Sequence, residues 1–173
     1  YTIVAGSWSS EGARPSYVRV GKDVEGNVRA FGSEFDIGGS VTGNVDAYAK
    51  SVVSIGKDII GDLYAELSSV DVKGHVEGRI EASGEGTSVT VGEGVKYGSY
   101  ELPYYASDSA GSPINHTVVH IIASDSAVDA NNHATVSVKG DVVRNPTPYK
   151  DGYVYHAYGV TAHNGAAVTV DGN

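Results

Sequence analysis

The sequence predicts an all-β protein, and three observations carry that reading. There are 23 glycines alongside abundant Val, Ser, Thr and Tyr, no long run has helical period, and apolar residues alternate with polar ones. The segment VDVKGHVEGRIEA (70–82) shows the alternation plainly. Val70, Val72, Gly74, Val76, Gly78, Ile80 and Ala82 fall on one face, with charged side chains and His75 between them. That is the signature of a half-buried strand.

The segment is one copy of an internal repeat. Apolar residues at relative positions 0, 2, 6, 10 and 12 occur as Val18, Val20, Val24, Val28, Ala30, then as Phe35, Ile37, Val41, Val45, Ala47. They recur as Val53, Ile55, Ile59, Leu63, Ala65 and as Val70, Val72, Val76, Ile80, Ala82. Each copy has glycine at relative position 8 (Gly26, Gly43, Gly61, Gly78), so successive copies stand a nearly constant interval apart. These glycines are expected on strands, where a side chain would collide with a packed neighbour. A fifth, looser copy (Val89, Val91, Val95) has one extra residue before Gly98. The helix-like stretch NVDAYAKSVVS (44–54) fits this repeat better than it fits a helix.

Beyond residue 102 the pattern becomes an echo. ASDSA occurs at 106–110 and 123–127, and Val119 and Ile121 are followed at the same interval by Val136 and Val138, then by Tyr153 and Tyr155. VSVKGDV (136–142) nearly copies VDVKGHV (70–76), and VTVDGN at 168–173 resembles the start of another unit. YYASDSAGSP (104–113) and RNPTPYKDG (144–152) read as long loops.

Two architectures accommodate these units. In a jelly-roll-like β-sandwich each unit is two strands joined at a G-K-D or G-G-S turn, with strands spaced as such folds require. In a β-solenoid each unit is one turn of 17–18 residues, stacked in register on the next. The equal offsets favour the solenoid locally, while the loss of pattern after residue 102 favours the sandwich, which is the fold expected here. The organisation is then an N-terminal strand or arm (1–12) and one β domain (13–173), repeat-rich over 18–102 and irregular over 103–173.

Composition excludes several functions. There is no cysteine, so disulfides, zinc–thiolate sites and thiol catalysis are out. The net charge of −9 disfavours nucleic acid, which demands a basic patch. No apolar stretch is long enough to span a membrane. No G-x-S-x-G, P-loop or G-x-G-x-x-G motif is present, and no enzyme activity is expected. The six histidines are scattered, and His116 and His120 lie in HTVVHIIA, a strand-like context that denies them helical i, i+4 geometry. The chain has no Met, so its start is trimmed; removal of a signal peptide is the expected reason and a recombinant boundary the alternative. The absence of Met, Cys and Gln is compatible with a hot habitat.

Acidic residues concentrate in turn-rich segments, which suits an oxygen-ligated cation such as calcium. The candidate ligands are Asp125, Asp129 and Asn131 in SDSAVDANN, Asp108 in SDS, and Glu34 with Asp36 in SEFD. Each of the aspartates also suits an ordinary Asx-turn. Asn115 heads a formal N-glycosylation triplet, NHT. The start, YTIVAGSW, alternates like a strand, so Thr2, Ile3, Val4, Ala5 and Trp8 form a candidate donor strand for a neighbouring copy, with AAVTVDGN (166–173) as the other terminus able to donate.

Two family resemblances bear on function. VDVKGHVEGRIEA resembles the turns of bactofilins, bacterial polymer-forming proteins, over residues 18–102; Val18–Ala30 departs from that pattern at Gly21. That resemblance implies a cytoplasmic, three-sided β-helix stacking end to end. YTIVAGSW, VRVGKDVEGNV, IGGSVTGNV, the acidic Val/Gly/Tyr-rich composition and the size resemble the cannula proteins of hyperthermophilic archaea, and this likeness covers most of the chain. It implies a secreted subunit of an extracellular tubule, a β-sandwich, self-assembly by donor-strand complementation, and calcium at subunit contacts. The expected function is therefore a secreted, extracellular structural subunit that polymerises with itself; the alternatives are a monomeric carbohydrate-binding or adhesion module that uses tyrosines on loops, and a bactofilin-like polymer.

Overall fold

The computed structural model describes residues 1–6, 16–97, 121–122, 126–144, 155–156 and 159–172. Among them it is all strand and turn, with no helix. β1 (Thr2–Gly6) is followed by β2 (Tyr17–Val20), β3 (Val24–Glu25) and β4 (Asn27–Phe31), which make one turn. β5 (Glu34–Ile37), β6 (Val41–Thr42) and β7 (Val45–Tyr48) make the next, and β8 (Val52–Ile55), β9 (Ile59–Ile60) and β10 (Leu63–Glu66) the third. β11 (Ser69–Val72), β12 (Val76–Glu77) and β13 (Ile80–Ser83) complete the fourth. The fifth holds β14 (Ser88–Val91), β15 (Val95–Tyr97), β16 (Ile121–Ile122) and β17 (Val128–Asn131). The sixth holds β18 (Thr135–Val138), β19 (Val142–Arg144), β20 (Tyr155–His156) and β21 (Val160–Ala162), and β22 (Ala167–Val170) opens a seventh.

Among the described residues, all strands but β16 and β20 stack into three parallel sheets. Sheet A runs β1-β4-β7-β10-β13-β17-β21, sheet B runs β2-β5-β8-β11-β14-β18-β22, and sheet C runs β19-β15-β12-β9-β6-β3. The repeat maps onto them directly: positions 0 and 2 lie in sheet B, 6 in sheet C, and 10 and 12 in sheet A. Each apolar position therefore stacks on its own kind in the next turn. Leu63 pairs with Val45 and Ile80, Ala65 with Ala47 and Ala82, and Ile59 with Val41 and Val76. These side chains point inward from all three sheets and are 0–1% exposed. Such burial on the inner face is what makes a stack of short parallel strands stable.

The expected sandwich is thus replaced by its alternative, a solenoid with one repeat unit per turn. The G-K-D and G-G-S segments are corners between sheets B and C, and the chain does not reverse at them to pair with itself. Neighbouring strands are whole turns apart in sequence and run parallel.

Two of the three corners are held by a column of side chains. Between sheets A and B lie buried Ser33, Ser51, Ser68 and Thr87. The Ser33 N–H donates to Ser51 Oγ at 3.3 Å and the Ser51 N–H to Ser68 Oγ at 3.2 Å. Each hydroxyl in turn donates to a carbonyl of its own corner: Ser33 to Phe31, Ser51 to Tyr48, Ser68 to Glu66 and Thr87 to Ser83. Buried polar groups are tolerable when paired in this way. Between sheets C and A, Asn27 Oδ1 accepts the Asn44 N–H, Asn44 Oδ1 the Asp62 N–H, and Asp62 Oδ1 the Arg79 N–H, at 2.8–3.0 Å.

The repeat glycines sit at this second corner and not within strands, where they were expected. Gly43 and Gly61 have φ of +149° and +152°. A Cβ at Gly43 would lie 2.5 Å from the Gly26 carbonyl oxygen, and one at Gly61 or Gly78 would overlap the carbonyl of the turn before. Glycine is required by the close approach of successive backbones and, at Gly43 and Gly61, also by a conformation that side chains avoid.

The repeat does not decay after residue 102; it is interrupted. Val136 pairs with Val89 and Val168, and of the echo's residues Ile121 pairs with Tyr155, two intervals on, and not with Val138; Val119 lies outside the described residues. The step from sheet C to sheet A is short between Val76 and Ile80, and much longer between Val95 and Val128 and between Val142 and Val160. Both added segments leave and rejoin at the same corner, in successive turns. They meet as β16 on β20, with Ile121 opposite Tyr155.

Candidate functional site

Sheet register decides which outward residues become neighbours. On sheet A it aligns Arg29, Asp46, Tyr64, Glu81 and Asp129 in one column. Arg29 Nε bonds Asp46 Oδ2 at 2.8 Å, and Arg79 Nη2 lies 3.0 Å from Glu81 and 3.7 Å from Asp129. Phe31 stacks on Tyr48 with centroids 5.2 Å apart, and Tyr48 meets Tyr64 at the same distance, tilted by 40°. Asp46, Tyr48, Asp62, Tyr64, Arg79 and Glu81 help line a shallow cleft of about 240 Å³. Burial, then Glu66 and Glu81, push the Tyr64 phenol up to about 12, and burial followed by Asp46 raises Tyr48. Among the described residues, this face is a ladder of phenols and paired charges.

The corner between sheets B and C carries different chemistry. Here Asp23 Oδ1 accepts the Ser40 N–H at 2.8 Å, and Asp58 Oδ1 accepts the His75 N–H at 3.1 Å. Two turns with one backbone arrangement thus differ in the side chain placed over the aspartate. The His75 ring gathers three carboxylates. Its Nδ1 lies 3.1 Å from Asp58 Oδ1 and 3.6 Å from Glu93 Oε2, and its Nε2 lies 3.3 Å from Glu77 Oε1. One ligand atom from each of Asp58, His75 and Glu93 lies within 4.8 Å of the others. Those residues come from three successive turns. Asp58 and His75 are partly exposed and Glu93 is open to solvent.

The cation ligands expected from sequence are distributed otherwise. Glu34 and Asp36 lie on β5 of sheet B, where Asp36 pairs with Arg19 Nε at 3.2 Å. Asp129 and Asn131 lie on β17 of sheet A. Asp129 faces Arg79, and Asn131 Oδ1 accepts the Asn132 N–H and the Asn164 amide, each at 2.8 Å. The fold therefore divides these four residues between two sheets. Asp108, Asp125, Asn115, Trp8, His116 and His120 lie outside the described residues. Thr2, Ile3, Val4 and Ala5 form β1, which pairs in parallel with β4 of its own chain, Ile3 opposite Val28. β1 ends the order of sheet A, so its other edge pairs with no strand among the described residues.

The Asp58–His75–Glu93 cluster was missed from sequence. Its only signal is spacing: Asp58 and His75 stand one repeat interval apart, and Glu93 follows His75 by one more turn.

No known protein family, curated protein or solved structure matches the chain.

Proposed function

We propose that this protein is a structural subunit that associates with copies of itself end to end. One observation carries the reading. Ile3, Val18 and Val20 at one end, and Val160, Val168 and Val170 at the other, are only partly buried, whereas their equivalents in the turns between are 0–1% exposed. The two ends are also in phase. Ile3 and Ala5 face Val28 and Ala30 at one end, as Val160 and Ala162 face Val128 and Ala130 at the other. Strand edges that have no partner among the described residues and lie over partly buried apolar side chains are a template for another strand.

A second copy placed with its β1 on β21 and its β2 on β22 would continue sheets A and B and every inward column in them. Sheet C has six strands against seven in each of the others, so the same stacking leaves room for one further short strand between β19 and the next β3. β1 then serves as a joining strand while staying bonded to β4, a modified form of the donor role expected from sequence. Calcium at the contact, secretion and an extracellular tubule belong to the same expectation.

Sedimentation velocity across a concentration series, with negative-stain microscopy, tests the reading. Wild-type protein should form rods that lengthen with concentration, and Val168→Lys with Val170→Lys should stop growth while leaving the circular dichroism of the subunit unchanged. A wild-type chain that stays monomeric at all concentrations, with calcium and with EGTA, would overturn it. Growth in EGTA would remove calcium from the assembly while leaving the stacking in place.

A further inference from the structure

We infer that Asp58, His75 and Glu93 form a binding site for a divalent transition-metal ion of the zinc class, clipping three successive turns together. The Asp23–Ser40 corner shows what the fold alone requires at this position. There an aspartate accepts the N–H of the next turn, and a serine suffices above it. Asp58 performs the same backbone duty for His75. Neither the imidazole nor Glu93 is needed for that bond.

The arrangement around the ring points to a cation. A neutral imidazole has one N–H donor and one bare nitrogen. His75 has carboxylate oxygens at both: Asp58 and Glu93 converge on Nδ1, and Glu77 faces Nε2. With the proton on Nε2, donated to Glu77, Nδ1 is left bare beside two carboxylates, and this side of the ring is short of a positive charge that either a second ring proton or a metal ion supplies. A metal ion among Nδ1, Asp58 and Glu93 supplies it and is bound by all three. Glu77 then plays the outer partner that fixes the tautomer and orientation of a metal-bound histidine. A ring nitrogen with two carboxylates selects ions that accept mixed nitrogen and oxygen ligands, with water completing the shell. Calcium prefers six to eight oxygens and is disfavoured.

The site does not depend on the end-to-end reading, since its three ligands lie within one chain. Its position suggests a use. Glu93 belongs to the turn that carries the longer of the two added segments, so the ion would tie that turn to the uninterrupted ones before it.

The test uses the full chain stripped with EDTA and titrated with Zn²⁺ by calorimetry, and with Co²⁺ by visible absorption. His75→Ser recreates the Ser40 corner, and Asp58→Asn keeps an oxygen for the His75 N–H. Both should fold, and both should weaken the tightest Zn²⁺ site by more than about tenfold, as loss of a direct ligand exceeds the effect of losing an outer partner. Glu93→Gln, at a side chain 69% exposed, should do the same without touching the core. Zn²⁺ should raise the melting temperature of the wild type and of none of the three variants, and excess Ca²⁺ should not compete. Unchanged Zn²⁺ titrations for His75→Ser and Glu93→Gln would overturn the assignment, as would displacement of Zn²⁺ by Ca²⁺.

Discussion

The turns from Tyr17 to Ser83 and the turns from Ser88 to Val170 have the same inner wall and different outer chains. In both, sheets A and B carry pairs of inward residues closed from solvent: Val28 and Ala30 in the first region, Val89, Val91, Val136 and Val138 in the second. In the first region every corner is short, and two of the three have a column of serine or of asparagine and aspartate. In the second, the corner between sheets C and A gives way twice to added chain, and among the described residues the glycine column ends at Gly78, the turn before the first addition. The comparison shows what specifies this fold. Register is set by stacked inward residues. The corner between sheets C and A can give way to a longer connection, because closing a longer loop costs little more than closing a short one. Where the chain stays tight, however, each corner residue is constrained by the turn beneath it.

The sharpest break in that comparison is Gly61→Val set against Asp62→Val. Gly61 combines positive φ with the carbonyl of Gly43 where its Cβ would stand. Backbone strain and overpacking, about 1–3 kcal/mol each, should together cost roughly 3 kcal/mol or more. Asp62→Val removes one acceptor from the asparagine ladder and should cost about 1 kcal/mol. Urea denaturation of the two variants decides. Equal losses would mean that the corner can spread to admit a side chain and that the tight region is no tighter than the interrupted one.

The converse experiment works on the interrupted region. Replacing residues 96–127 by Glu-Gly-Arg, the sequence that joins Val76 to Ile80, converts the fifth turn into a copy of the fourth. Loop closure alone favours the shortened chain by about 2 kcal/mol. Acting against this are the loss of β16 from its pairing with β20, of buried Ala127 from the core and of the Ser126–Thr161 hydroxyl bond, about 1 kcal/mol each. The variant should therefore stay folded, with a urea midpoint slightly below that of its parent and with the strand signal in circular dichroism preserved. Unfolding would show that the added chain contributes more to the core of its turn than Ser126 and Ala127.

This division also explains what was legible in the sequence. The repeat offsets identified Val53, Ile55, Ile59, Leu63 and Ala65 as one inward set, and all are buried. Strand content and the five core positions per unit follow from period-two alternation. Strand direction does not, because alternation looks the same in parallel and antiparallel sheets. The discriminating signal was like residues one turn apart, Ala47 over Ala65 over Ala82. The long step from Val95 to Val128 broke that series and made the second half look irregular. The Asp58, His75 and Glu93 cluster was hidden for the same reason. Residues one turn apart are neighbours only once the turn length is known, and each alone reads as part of a solvated face. Acidic density within one loop, the cue followed for Glu34, Asp36, Asp129 and Asn131, selects residues adjacent in sequence. A solenoid brings together residues a whole turn apart.

The smallest expected effect probes the outer face of the tight region. Tyr64 stands between Asp46 and Glu81 in the column on sheet A and bonds Glu66 through its hydroxyl at 3.4 Å. Burial, with Glu66 and Glu81 adding to it, raises its phenol from 10.0 to about 12. The unfolded chain therefore releases this proton at lower pH than the folded one does. Tyr64 then adds stability that is fully present below pH 10 and is lost as pH rises toward 12. Absorbance at the phenolate band, compared between the wild type and Tyr64→Phe, should show one tyrosine fewer in the late part of the titration and no change in the early part. Glu81→Gln removes one of the neighbouring charges and should bring that late step to lower pH. A Tyr64 difference curve centred on the ordinary tyrosine value would mean that water reaches the phenol freely, so that stacking the turns does not desolvate the outer ladder.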